Sequence, residues 1–384
     1  MGIHLFGKRR SCIPVSSQIY FTVVILGVIS STVYLLLLFI YPKVPGSYSQ
    51  TMLKAAQTME KAIFTLQSYC DTAGISIDVT IDPNRTGLIG PETSELLTTP
   101  GDLAAKRTTT NPDMAALIVQ LLNQAGVHSG DTIAVGCSAS FPALLIAALA
   151  ASQALNVHPI VIISLGASSY GGTNPDFTLL NIYTVLLREK IFTVPPAAVS
   201  LGGENDTGQD FTEAVKKRLL RKITESGLPF INELNLEKNV ASRMNLYFGS
   251  NHKRTISAFI NIGGSTANIG TSPLALKLTP GLNTNISIPQ KDKRGVLFEM
   301  AKLHIPVIHL LYVKGLTVKY GLPWDPIPLP NPGKSPLFSL KPQTKRVFWF
   351  ITSFYFISLG ISIIAVRFKI SPTKFSNIDR VSSI

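Results

Sequence analysis

The sequence predicts an α/β fold in which a mostly parallel sheet is covered by helices on both faces. Short, continuously apolar runs recur through the middle of the chain, as at residues 131–136 and 158–164. Continuous apolarity is typical of strands that are buried on both faces. Helical segments separate these runs, and an alternation of strand and helix favours parallel strands joined by crossover helices. The predicted architecture is a doubly wound, Rossmann-like sheet.

The predicted elements follow one another with clear boundary signals. Behind residue 48, apolar side chains at helical spacing predict a first helix. Asn111 and Pro112 form a cap and a first-turn proline for the next helix, and Gly126 closes it. The predicted helices are residues 49–69, 113–125, 140–155 and 210–226. The predicted strands are residues 131–136, 158–164, 197–201, 256–262 and 305–313.

Two long apolar segments without charge flank this domain, at residues 19–41 and 347–366, and the mean hydropathy is +0.28. A helix needs roughly 20 apolar residues to cross the hydrocarbon core of a bilayer. We expect both segments to be transmembrane helices. The first exceeds the roughly 7–15 apolar residues of a signal peptide and lacks a small-residue cleavage site, so we expect an uncleaved anchor.

Basic residues beside these segments set the expected orientation. Lys8, Arg9 and Arg10 precede the first segment and only Lys43 closely follows it, whereas the second segment shows a weak asymmetry. Positive flanks are retained in the cytoplasm. We therefore expect a two-pass protein of the cell (inner) membrane, with cytoplasmic termini and an extracytoplasmic middle. The expected parts are basic tails at 1–18 and 367–384, a domain at 45–320, and an extended proline-rich stalk at 321–346.

Most of the formal net charge of +13 lies in the tails and membrane flanks, beside the anionic leaflet. This placement removes the main argument for nucleic acid as a partner, and the mildly basic domain suits an acidic ligand. The sequence has no CxxC, HExxH or His/Cys cluster, so we expect no metal and no cofactor. It also lacks G-x-G-x-x-G and Walker A motifs. Whether Cys70 and Cys137 pair stays open.

Four predicted strands end in loops of small and hydroxyl residues. Ligands of open α/β sheets bind outside the carboxyl ends of the strands, where glycine allows close approach to the backbone. We expect these loops to form a polar crevice for carboxylates or phosphates, although glycine after a strand is also ordinary turn chemistry. The candidate ligand-binding residues in the loops are Ser138, Ser140, Ser168, Gly202, Gly203, Asn261, Gly263, Gly264 and Ser265.

Ser138 is the candidate nucleophile, because a strand, a G-x-S-x-small turn and a helix resemble a nucleophile elbow. Ser140 stands where that motif has glycine, which crowds the turn. Asp206 and a later histidine would complete the relay. The histidines available are His252, His304 and His309. In the competing interpretation, Ser138 and Ser140 cap the following helix.

Two charged pairs are further candidates. Lys106 and Arg107 are placed to bind an anion from a loop near the crevice. In the alternative interpretation they are a solvated pair of charges on that loop. Glu204 and Asp206 are candidates for general acid–base catalysis or for binding a cation. In the alternative interpretation they cap the N-terminus of a helix near residue 208.

Several segments, in order along the chain, resemble the poly-γ-glutamate system protein family (its W component). They are GDLAAKRTTTNPDMAALIVQLLNQAGV, SGDTIAVGCSASFPALLIAALAA, ISLGASSYGGTNPDF, SLGGENDTG and INIGGSTANIG, within residues 90–281. The resemblance implies a bacterial membrane protein that accompanies poly-γ-glutamate synthesis and export. Its implied partners are the polymer and the membrane synthase or exporter subunits.

Three functions remain open at this point. The first is an accessory subunit whose outer domain binds the polymer. The second is a serine hydrolase or transferase acting on γ-glutamyl amide bonds, and the third is a ligand-binding envelope sensor.

Overall fold

The computed structural model describes residues 24–33, 48–249, 253–338, 352–360 and 364. The chain divides into two units: residues 1–46 with 340–384, and residues 47–339. The second unit holds the α/β domain. Its strands are β1 (Leu97–Thr99), β2 (Thr132–Ser138), β3 (His158–Ser164), β4 (Ala167–Ser168), β5 (Ala198–Ser200), β6 (Phe259–Ile262), β7 (Gly281–Asn283) and β8 (Val307–Leu310).

Helices connect and cover these strands. The α-helices of this unit are α1 (Ser49–Ala73), α2 (Leu103–Thr109), α3 (Asp113–Gln124), α4 (Pro142–Leu155), α5 (Leu179–Arg188), α6 (Glu213–Ser226), α7 (Leu236–Phe248), α8 (Thr266–Ile269), α9 (Val296–Lys302) and α10 (Val313–Tyr320). Short 3₁₀ turns lie at Glu204–Asp206, Pro273–Lys277, Lys291–Lys293 and Pro336–Phe338.

Six strands form one sheet in the order β5-β3-β2-β6-β8-β7, while β1 and β4 pair separately in parallel. All neighbours in the large sheet are parallel except β7, which runs antiparallel to β8 at the edge. The chain winds outward from β2 to β5, returns, and winds the other way from β6. The strand order therefore reverses between β2 and β6. The expected mostly parallel α/β sheet, consistent with a Rossmann-like fold, is confirmed.

Both faces of the sheet are buried. Alternate residues of β2 face opposite cores, with Ile133 and Val135 in one cluster and Ala134 in the other. The larger core includes the buried faces of α1, α3 and α4, and the smaller includes α7 and α9. This double burial explains why the strands are continuously apolar in the sequence.

The sequence-based boundaries differ from the structure mainly where a strand signal is weak. The strand expected at 256–262 is limited to β6, and the strand expected at 305–313 to β8. The antiparallel edge strand β7 was not predicted, because three residues carry too little pattern. The short strands β1 and β4 and the helices α2, α5, α7, α8, α9 and α10 were not predicted either. Cys70 and Cys137 are both free and buried.

The proline-rich segment packs on the domain. Asp113 accepts backbone hydrogen bonds from Gly333 (2.8 Å) and Ser335 (3.0 Å). The Arg107 Nε donates to Asp325 Oδ1 at 2.7 Å. The prediction of an extended stalk is therefore wrong for residues 321–338, because the buried carboxylate of Asp113 on α3 holds the segment down. Residues 339–346 lie outside the described residues.

The other unit is described at two short helical stretches, residues 24–33 and 352–360. The Ser30 hydroxyl lies 2.6 Å from the Tyr355 hydroxyl, within hydrogen-bonding distance. Among the described residues, no helix has both the length and the apolar character needed to cross a membrane. The remainder of the expected spans 19–41 and 347–366, and the tails 1–18 and 367–384, lie outside the described residues.

Candidate functional site

A crevice of about 580 Å³ lies at the carboxyl ends of β2 and β6, where the strand order reverses. This position is where open α/β sheets bind ligands. The four strand-end loops all contribute to it. The predicted residues that line it are Lys106, Ser138, Ser140, Ser168, Gly202, Gly203, Gly264 and Ser265.

Lys106 enters the crevice from α2, a helix that was expected to be a loop. Asp102 caps this helix by accepting a hydrogen bond from the Ala105 N–H at 2.9 Å. The Lys106 side chain is only 2 % exposed, and its Nζ lies 2.6 Å from the Ser140 carbonyl oxygen and 2.7 Å from the Ser168 Oγ. The same atom lies 3.7 Å from the centre of the Phe141 ring. Burial lowers the pKa of Lys106 to about 7, against an opposing effect of Asp102.

A glycine permits this close packing of α2. A Cβ at Gly101 would lie 2.5 Å from the Ser169 carbonyl oxygen and 3.2 Å from the Lys106 Cε. Only a residue without a side chain therefore lets the start of α2 lie against the β4 loop, with Lys106 directed inward.

Ser140 connects two of the loops. Its Oγ accepts a hydrogen bond from the Ser168 N–H at 3.0 Å, while its carbonyl oxygen accepts one from Lys106. Helix α4 begins at Pro142 without a side-chain cap. The interpretation of Ser138 and Ser140 as helix caps is therefore wrong, because both hydroxyls are directed elsewhere.

Ser138 ends β2 with a buried hydroxyl, and its side chain lines the crevice. The Ser138 Oγ and the Ser265 Oγ have no hydrogen-bond partner among the described residues. Gly263 lies against Ser138 with a φ of +81°, and a Cβ there would collide with the Ser138 Oγ. Buried hydroxyls without partners are uncommon in folded proteins, which makes these two candidates for donating to a ligand.

Asp206 belongs to a different buried cluster. Its Oδ2 lies 2.6 Å from the Arg243 Nη2, and both side chains are fully buried. The hydroxyls of Ser164 (3.1 Å) and Ser200 (2.7 Å) and the Asn239 amide nitrogen (3.0 Å) also donate to the Asp206 carboxylate. The prediction of Asp206 as a partner of Ser138 is therefore wrong, since its carboxylate is fully engaged by Arg243 and its neighbours.

Arg243 was missed by the sequence analysis. Asn239 and Arg243 are four residues apart on α7, on the same face as the buried Val240 and Tyr247. A polar pair at that spacing on an apolar helix face was the available signal. This signal can be read only when residues 236–248 are already known to form a helix.

In the part of the chain that the structure describes, no histidine forms a hydrogen bond with the Ser138 hydroxyl. His309 on β8 is buried, and its Nδ1 lies 3.0 Å from the Asn261 Nδ2, which also donates to the Gly263 carbonyl oxygen. Burial lowers the pKa of His309 to about 4, so the ring is neutral at pH 7. His304 is exposed, and His252 lies outside the described residues. The expected serine–aspartate–histidine relay is not formed among the described residues.

Three of the candidate ligand residues do not line the crevice. The Arg107 guanidinium is paired with Asp325, and both side chains are largely buried. Asn261 and Gly263 do not line the crevice. Asn261 contacts His309, and Gly263 lies against Ser138.

The charges around the crevice are mixed. Lys106 and Lys314 are basic, and three acidic residues, Asp102, Glu204 and Asp210, also line it. Asp210 is held by the backbone N–H of Glu204, which donates to its Oδ2 at 2.6 Å. Phe141, Tyr312 and Trp324 add apolar surface. The crevice thus offers a buried amine, two hydroxyls without partners among the described residues, and an acidic rim.

Comparison with protein-family models, curated proteins and solved structures finds no match to this chain.

Proposed function

We propose that this chain is a membrane-anchored accessory protein of poly-γ-glutamate synthesis or export, and that its α/β domain binds the polymer in the crevice. Lys106 carries the proposal, since its amine is buried in the wall of the crevice that Ser138 and Ser265 also line, and the hydroxyls of these two serines have no partner among the described residues. An amine in its charged form has three N–H donors, and the Ser140 carbonyl and the Ser168 hydroxyl engage two of them. A ligand carboxylate would accept the third, and the Ser138 and Ser265 hydroxyls would donate to another oxygen of the ligand, such as the carbonyl of the neighbouring amide.

The mixed charge suits a short stretch or an end of the polymer better than a long polyanion. Glu204 and Asp210 on the rim would repel a continuous row of carboxylates. A terminal glutamyl unit with a free amino group carries both a carboxylate and an ammonium. The carboxylate would bind at Lys106 while the ammonium met the acidic rim.

The uncharged segments 19–41 and 347–366 support the proposed membrane anchoring. Within them, Val28 is 61 % exposed and Phe354 is 67 % exposed on helical stretches. Exposed apolar surface of this kind suits lipid, and a hydroxyl pair such as Ser30 and Tyr355 suits contact between two helices in a bilayer. In this proposal the paired helices hold the domain at the outer surface of the inner membrane, with both termini in the cytoplasm.

Calorimetric titration of the full-length protein with γ-linked glutamate oligomers tests polymer binding. We expect saturable binding, and a loss of about tenfold or more in affinity in Lys106→Met, because a charge-assisted hydrogen bond is removed. Lys302→Met is the matched control, since Lys302 is exposed on α9 away from the crevice. Absence of binding by the unaltered protein, or equal losses in both variants, would contradict the proposal. Binding of an unrelated small ligand instead would favour a sensor.

A further inference from the structure

We propose that Ser168 and Lys106 form a serine–lysine catalytic pair that cleaves an amide bond in the crevice, with Ser168 as nucleophile and Lys106 as its base. The choice of substrate, an amide next to a carboxylate, rests on the proposed function. The chemistry of the pair does not depend on it, because it follows from the geometry of the two side chains.

The two reacting atoms are already in contact. The Lys106 Nζ lies 2.7 Å from the Ser168 Oγ, and both residues line the crevice. This separation is within the roughly 2.6–3.2 Å that proton transfer from a nucleophile to its base requires. Ser138, the nucleophile expected from the sequence, has no such neighbour among the described residues.

Ser168 is held in place by backbone contacts. It ends β4, which pairs in parallel with β1 so that Thr99 lies opposite Ser168. Its N–H donates to the Ser140 Oγ, and its side chain is 8 % exposed. A nucleophile fixed on a strand at the crevice wall keeps its orientation when a substrate enters.

Lys106 has the surroundings of a base. The Ser140 carbonyl oxygen orients its amine by accepting one hydrogen bond, and the Phe141 ring provides an apolar neighbour 3.7 Å from the Lys106 Nζ. Such an apolar setting makes the neutral amine accessible near pH 7. The charged groups that share the crevice with it are Asp102, Glu204, Asp210 and Lys314.

The reaction balances with water as the only co-reactant. The neutral Lys106 amine takes the Ser168 hydroxyl proton while Oγ bonds to the amide carbonyl carbon, and the carbonyl oxygen becomes an oxyanion. The C–N bond then breaks, and the Lys106 ammonium protonates the leaving nitrogen to release an amine and leave an ester on Ser168. A water molecule gives a proton to Lys106 and attacks the ester, and the proton returns to Ser168 as the acid leaves. The free Ser138 and Ser265 hydroxyls are donors that an oxyanion in this crevice would use.

Labelling of the full-length protein with a fluorophosphonate probe, followed by peptide mass spectrometry, tests the pair. We expect phosphonylation at Ser168, lost in Ser168→Ala and in Lys106→Arg, which keeps a cation but supplies no base. Ser152→Ala should label normally, because the Ser152 hydroxyl donates to the Ala148 carbonyl oxygen within α4 and does not line the crevice. Thermal unfolding of each variant shows whether it folds. If Lys106→Arg does not fold, the labelling of Ser168→Ala alone tests the pair.

Hydrolysis of γ-linked glutamate oligomers, measured as new amino ends, provides the second readout. The rate should rise with pH through about 7, because Lys106 must lose its proton to act, and should fall at least about a hundredfold in Ser168→Ala. Binding without labelling or cleavage between pH 6 and 9 would overturn the pair and leave the proposed function intact. Labelling without oligomer binding would support the pair and overturn the proposed function. Cleavage that persists in Ser168→Ala would overturn the pair.

Discussion

Ser138 and Ser164 lie directly opposite each other at the ends of β2 and β3, yet their surroundings differ completely. The Ser164 hydroxyl belongs to a closed cluster with Ser200, Asp206 and Arg243. The Ser138 hydroxyl lines the crevice and has no partner among the described residues. Neighbouring positions on one sheet edge therefore have different roles.

The difference separates a polar cluster that stabilises the fold from one that is available for a ligand. Around Asp206, a buried charge is compensated by Arg243 and by several hydrogen bonds. Within the part of the chain that the structure describes, one guanidinium nitrogen of Arg243 is the polar atom of this cluster that lacks a partner. Around Lys106, the partners of the buried amine within hydrogen-bonding distance are all neutral among the described residues. Polar groups kept buried without compensation cost stability, which is the pattern expected of a functional site.

Asp206→Ala should give the largest effect, because it leaves the fully buried Arg243 without its counterion. We expect the free energy of unfolding to fall by about 3–5 kcal/mol in urea denaturation of the full-length protein. Glu204→Ala, at an exposed carboxylate in the same loop, should change stability by less than about 0.5 kcal/mol. A loss below about 1 kcal/mol in Asp206→Ala would show that the cluster is not what stabilises this region.

Lys106→Met should change how stability depends on pH. The folded pKa of about 7 lies below the ordinary value, so between pH 7 and 8.5 the unfolded chain binds a proton that the folded chain does not. Lys106 therefore makes stability rise with pH in this window, by about 1.4 kcal/mol per unit at most, or about 2 kcal/mol in all.

Unfolding of the unaltered protein, Lys106→Met and Lys302→Met at several pH values between 7 and 8.5 measures this slope. Lys302 is exposed, so its variant should keep the slope of the unaltered protein. If Lys106→Met also kept it, Lys106 would not be a desolvated amine, and the crevice would differ less from the Asp206 cluster than we infer.

Ser138→Ala should give the smallest effect on stability, below about 0.5 kcal/mol, because no hydrogen bond is lost within the described structure. Ser164→Ala is the matched variant on the neighbouring strand, and it should cost about 1–3 kcal/mol by leaving buried charged groups with fewer partners. Urea denaturation compares the free energies of unfolding of the two variants. Titration with γ-linked oligomers should show weaker binding for Ser138→Ala and unchanged binding for Ser164→Ala. Equal stability losses would remove the distinction between the clusters.

The buried central strands β2 and β3 were the most predictable part of the fold. The strand expected at 158–164 coincides with β3, because a fully buried strand is recognisable from its own residues. Helix α7 was not predicted, because its buried face includes Asn239 and Arg243, which look like solvent-facing residues until their partners are known. The serine-rich loops were likewise visible in the sequence, but their partners were not.

The sequence by itself determined the α/β class, the central strands and the loops of small residues that follow them, because each depends on local pattern. Only the tertiary structure decided which polar groups are paired. Helix α7 brings Arg243 to Asp206, and α2 brings Lys106 to Ser168, from positions far away in the chain. Hydrogen bonds and ion pairs depend on distances of a few ångströms between distant segments, which residue order alone does not specify. Ser138 and Ser164 end the same kind of strand, and the surrounding structure pairs the Ser164 hydroxyl with Asp206 and Arg243 while the Ser138 hydroxyl has no partner among the described residues.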